Sequence, residues 1–90
     1  MIQVKQTGDG DPMRFEVAVT GGGTTTRHEV TLSAGDYERL ARGNSPERLI
    51  EAAFRFLLDR EPKESILRRF DVKVIETYFA EFERKLPEYL

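Results

Sequence analysis

The sequence has no cysteine, no tryptophan and a single histidine in 90 residues. Without thiols it can build no disulfide scaffold, no cysteine-ligated metal site and no thiolate nucleophile. The lone imidazole, His28, leaves too few nitrogen ligands for zinc, and catalysis by it would need a nucleophile or carboxylate partner. Long apolar runs are missing too: nothing approaches the roughly 18 consecutive apolar residues that a membrane-spanning helix needs. The opening Met1-Ile2-Gln3-Val4-Lys5-Gln6-Thr7 has neither the basic start nor the apolar stretch of a secretory signal, so a cytoplasmic location is expected. A surplus of one charge is also absent. Lys and Arg number 14 against 16 Asp and Glu, a formal net charge of -2, and residues 1–33 hold three basic and four acidic side chains of these totals. Neither part produces the positive field that draws a protein to nucleic acid or membrane by charge alone.

The chain does carry 39% hydrophobic residues, enough for one modest core. A chain this short buries about 60 to 65% of the surface that its unfolded form exposes, so residues 1–90 are expected to form a single domain. Up to Ser33 the apolar period is two, the mark of strands. Ile2 and Val4 begin the first. Met13, Phe15, Val17 and Val19 face inward on the second, and His28, Val30 and Leu32 on the third. Thr7-Gly8-Asp9-Gly10-Asp11-Pro12 is dense in turn formers, and Gly21-Gly22-Gly23 supplies residues that tolerate positive φ. Facing pairs must join odd positions of the second strand to even positions of the third. Phe15 opposite Leu32, Val17 opposite Val30 and Val19 opposite His28 satisfies this, with residues 21–26 as the loop.

From residue 34 the period is helical. Ser33 is an N-cap candidate for a short helix through Ala41, with Gly43 as its stop, and Ser45-Pro46 opens a second helix to about Arg60. Along that helix Leu49, Ile50, Ala52, Ala53, Phe54, Phe56, Leu57 and Leu58 spread over roughly 240°, which predicts a central helix covered on more than one side. Residues 62–69 can form a brief helix, and Asp71 can cap a last one to about Lys85. There Val72, Ile75, Phe79, Phe82 and Leu86 make a narrow seam, flanked by Val74 and Tyr78. The expected fold is α+β: a three-stranded antiparallel meander (residues 1–33) followed by three or four helices (residues 34–90), with residues 46–60 central.

No catalytic or metal-binding pattern emerges. The glycine run feeds a strand and lacks the lysine of a phosphate loop, and the twelfth position counted from Asp9 is Thr20, not the glutamate of a calcium loop. Ser33, Ser45 and Ser65 read as helix caps or first-turn residues, and carboxylates such as Glu51 sit beside basic partners such as Arg55. His28 is expected to pack at the rim of the hairpin. Arg68-Arg69, with Arg60 and Lys63 nearby, is interleaved with Glu61, Glu64 and Asp71, the pattern of a solvated helix junction. Neither an enzyme nor a bound cofactor is expected. The apolar surplus points to a protein-interaction module, as a homodimer or with another protein, whose contact surface uses Phe54, Leu58, Val72, Ile75, Phe79, Phe82 and Leu86.

Two resemblances accompany these residues. A strand, a short helix, Gly43-Asn44-Ser45 and then Leu49-Ile50 with Ala52-Ala53 is similar to the ribbon-helix-helix fold of small bacterial repressors and antitoxins. That resemblance implies a dimeric DNA binder in which Arg27, Glu29 and Thr31 face the major groove and Ser45 holds a phosphate. The segment Phe56-Leu57-Leu58-Asp59-Arg60-Glu61-Pro62-Lys63-Glu64-Ser65-Ile66-Leu67, with Tyr78-Phe79 beyond it, resembles a group of short bacterial proteins to which no activity is attached. Members of that group often have proline soon after the Tyr-Phe pair. This chain has Ala80 there, so its last helix is expected to run further.

Overall fold

The computed structural model describes residues 1–90. The alternating segments form β1 (Ile2–Gly8), β2 (Met13–Gly21) and β3 (Thr24–Leu32). Helices α1 (Ala34–Leu40) and α2 (Pro46–Leu58) follow, then a 3-10 turn at Lys63–Ser65 and a short strand β4 (Arg69–Asp71). Helices α3 (Val72–Tyr78) and α4 (Phe82–Lys85) and a 3-10 turn at Leu86–Glu88 complete the α+β chain. The sheet has four strands in the order β1-β2-β3-β4. The first three pair antiparallel, whereas β4 returns through α1 and α2 to pair parallel with β3. A three-residue strand carries no readable period, which is why the sequence predicts three strands.

The N-caps expected at Ser33, Ser45 and Asp71 are made, whereas Ser65 ends the 3-10 turn and caps nothing. Ser33 Oγ accepts from the Asp36 N–H at 3.1 Å, Ser45 Oγ from Arg48 at 3.2 Å, and Asp71 Oδ1 from Lys73 at 2.9 Å. The hairpin register differs from expectation by two residues: Met13 faces Leu32, Phe15 faces Val30, Val17 faces His28 and Val19 faces Thr26. The loop shrinks to Gly22-Gly23, with φ of 63° and 82°, the doubly left-handed backbone that a two-residue hairpin requires. Thr24 to Thr26 therefore extend β3, and the Thr20 and Thr25 hydroxyls bond at 2.9 Å. Because only glycine holds this geometry without strain, Gly23→Ala should lower stability by about 1 kcal/mol in a urea titration.

Phe15, Val17, Val19, Val30, Leu32 and His28 on the inner sheet face are buried against α2, whose Leu49, Ile50, Ala52, Ala53, Phe54, Phe56 and Leu57 are buried in turn. The far side of α2 is covered by the C-terminal segment. Helix α3 does not continue to Lys85. It stops at Tyr78, Phe79 turns extended (φ -132°, ψ 91°), and α4 folds back so that Phe79, Phe82 and Tyr89 each meet the Phe56 ring edge-on. An unbroken helix would carry its last residues about 20 Å beyond Val72 and leave that side of α2 bare. Arg60 fastens the return: its guanidinium lies 3.6 Å from the Phe56 ring centre and donates to Glu81 Oε2 at 3.2 Å and to the Tyr89 hydroxyl at 3.3 Å.

This closure revises the expected contact surface. Phe54, Val72, Ile75, Phe82 and Leu86 are at most 3% exposed within the single chain, and only Leu58 and Phe79 remain half-buried. The apolar surplus is taken up by β4 and the C-terminal fold-back, so it gives no reason for a second subunit.

Candidate functional site

Three surfaces come into question. The outer sheet face carries the groove residues of the ribbon-helix-helix resemblance, and their surroundings correct it. In that fold the strand must be free to pair with a symmetry mate. Here β3 pairs with β2 along all nine of its residues and with β4 at Glu29 to Thr31. Glu29 Oε2 is ion-paired to Arg69 Nε at 3.2 Å, Thr31 Oγ1 donates to Asp71 Oδ2 at 2.6 Å, and Ser45 caps α2. Across the four strands Lys5, Glu16, Glu29 and Arg69 stand in one row, so two acids fill the middle of the face where DNA would demand a continuous positive field.

His28 occupies the second place. Its ring is buried, edge-on to Phe54 at 5.3 Å. Nδ1 lies 2.8 Å from the Leu67 carbonyl and Nε2 lies 2.9 Å from Thr26 Oγ1. A carbonyl can only accept, so Nδ1 carries the proton and Nε2 is free to accept from the threonine hydroxyl. Both nitrogens are engaged inside the fold and no carboxylate orients the ring, so the imidazole serves as a brace. It ties β3 to the segment before β4, a bond that the Glu29 N–H reinforces by donating to the Arg68 carbonyl at 2.7 Å.

The third surface is a cleft that this brace helps to shape. Helix α2 ends at Leu58, and the Arg60 and Glu61 N–H groups both donate back to the Leu57 carbonyl at 2.9 Å, which leaves the Glu61 side chain on one wall. The 3-10 turn then aims Ile66 into the core and Leu67 outward. Helix α3, capped by Asp71, contributes Val74, Ile75 and Tyr78, and Phe79 follows. Together with Leu57, Ser65 and Phe70 these residues enclose a cavity of about 170 Å³, apolar at eight of ten lining residues. Glu61 is the one charged group among them, and partial burial holds its carboxyl above the usual glutamate range. Three of the surrounding cations pair elsewhere: Lys63 with Glu64 at 2.9 Å, Arg60 with Glu81 and Arg69 with Glu29. The expected solvated junction is thus a set of separate ion pairs that omits Glu61, Arg68 and Asp71.

No family model, no curated protein and no solved structure matches the chain. No group of three or more His, Asp or Glu side chains converges to hold a metal ion, and no helix is long and apolar enough to cross a membrane. Of the contact residues expected from the sequence, Ile75 and Phe79 line the cleft, Leu58 does not, and Leu67, Tyr78 and Glu61 join it unforeseen. Tyr78 was legible as a flank of the seam. Leu67 and Glu61 carry no such signal, because their exposure depends on where the 3-10 turn and β4 lie.

Proposed function

We propose that this protein is a noncatalytic cytoplasmic interaction module that holds a protein partner at the cleft between the end of α2, the Leu67 segment and α3. One observation supports this above the rest. Apart from Met1, the large apolar side chains left exposed are Leu67 at 47% and Tyr78 at 67%, and both line the same apolar cavity. Two such side chains on one concave surface would contribute about 2 to 4 kcal/mol when covered by a partner. The outer sheet face carries mixed acids and bases and no aromatic side chain, so it offers no exposed apolar anchor.

The test is co-purification from the native cell with wild-type protein and with Leu67→Ala/Tyr78→Ala, each with and without nuclease. Both side chains are exposed, so the double variant should melt within about 3 °C of wild type. The expected outcome is a protein recovered by wild type, retained after nuclease and lost with the variant. An identical set of proteins on both forms, or recovery that vanishes with nuclease, would overturn the proposal.

A further inference from the structure

We infer that the partner segment seated in this cleft presents an apolar anchor with a lysine or arginine beside it, and that Glu61 is the residue that selects the cation; this rests on the partner-binding reading of the cleft. The cavity, about 170 Å³, has room for one large apolar side chain. Glu61 stands on its wall as the single charged lining residue, half-buried and outside every ion pair of the protein. The two cations nearest to it in sequence are engaged elsewhere, since Lys63 holds Glu64 and Arg60 is committed to Glu81, Phe56 and Tyr89. A carboxylate beside apolar surface attracts a cation most strongly when the incoming segment excludes water from both.

The same charge argues against a second copy of this chain as the occupant. A two-fold contact places the same patch on both subunits, which would bring Glu61 toward its mate with no cation among the lining residues. Acidic partners are disfavoured for the same reason. On a helical segment, anchor and cation would stand three or four positions apart, on one face.

Glu61 is also a residue whose charge the fold would do better without. Burial raises its carboxyl, so the folded protein binds that proton more tightly than the unfolded chain. Its ionisation therefore weakens folding as pH rises through and above the ordinary glutamate range. Glu61→Gln should accordingly melt at or slightly above wild type at neutral pH, with the difference gone in acid below that range. Any loss of binding in this variant is then not a loss of fold.

A displayed library of random 12-residue peptides is selected on the full chain, with Leu67→Ala/Tyr78→Ala protein used to discard cleft-independent binders. The expected winners share an apolar residue flanked by Lys or Arg, and Glu61→Gln should raise the Kd of a selected peptide roughly fivefold. Selection on Glu61→Lys should move the flanking preference to Asp or Glu. Cleft-dependent winners with no basic preference, or a preference unchanged on Glu61→Lys, would overturn the role of Glu61 while leaving the cleft as a partner site. A selection that yields no cleft-dependent peptide would overturn both.

Discussion

Phe82→Glu is expected to unfold the domain at room temperature. Phe82 is fully buried and meets the Phe56 ring edge-on at 5.1 Å. A carboxylate at that fully buried position would be cut off from water, so either the charge is buried or α4 lifts off α2. The loss should be about 5 kcal/mol or more, against a total of roughly 5 to 13 kcal/mol for a chain this size. Phe79→Glu is the internal comparison. Phe79 also touches Phe56, at 5.8 Å, but it is half-buried at the rim of the cleft, where a glutamate can turn outward, and about 1 to 2 kcal/mol is expected. Far-UV circular dichroism during urea titration reads both variants, a suitable probe because the chain has no tryptophan. Equal, small effects from the two would mean that the C-terminal segment does not cover α2.

His28→Leu should be the second most damaging substitution considered, at about 2 to 4 kcal/mol. Leucine fills most of the space but donates nothing, so the Leu67 carbonyl loses the bond it accepts from Nδ1 and the Thr26 hydroxyl loses its acceptor. The edge-on contact with Phe54 goes as well. Beyond the lower midpoint, the bond from the Glu29 N–H to the Arg68 carbonyl should open more often, because its neighbouring anchor is gone. Amide exchange at Glu29 should therefore accelerate more than at Ala52, in the middle of α2. A variant with wild-type exchange at Glu29 would show that the imidazole does not hold this segment, and hence the Leu67 wall of the cleft, in place.

Much of this architecture is written locally. Ser33, Ser45 and Asp71 announce helix starts through short-range hydrogen bonds, the double periodicity separates sheet from helix, and the wide apolar arc of residues 49–58 places α2 at the centre. Each of these depends on neighbours within a few positions along the chain. The hairpin register is different, since a shift of two residues preserves which side chains face inward, and only the closure at Gly22-Gly23 distinguishes the alternatives. The fourth strand and the break after Tyr78 lie further still beyond local pattern. Strand β4 exists because β3 has a free edge and His28 captures a carbonyl 39 residues away. The break exists because the bare side of α2 draws Phe79, Phe82 and Leu86 back onto it. The candidate site follows from those same distant contacts. Composition alone dictated a chain without thiol chemistry or a cysteine-ligated metal site and with a core of limited size. That Leu67 and Tyr78 stay uncovered, and that the carboxylate standing beside them, Glu61, is left without an ion pair, is what remains after residues far apart in sequence have taken one another as partners, and only the folded chain settles that.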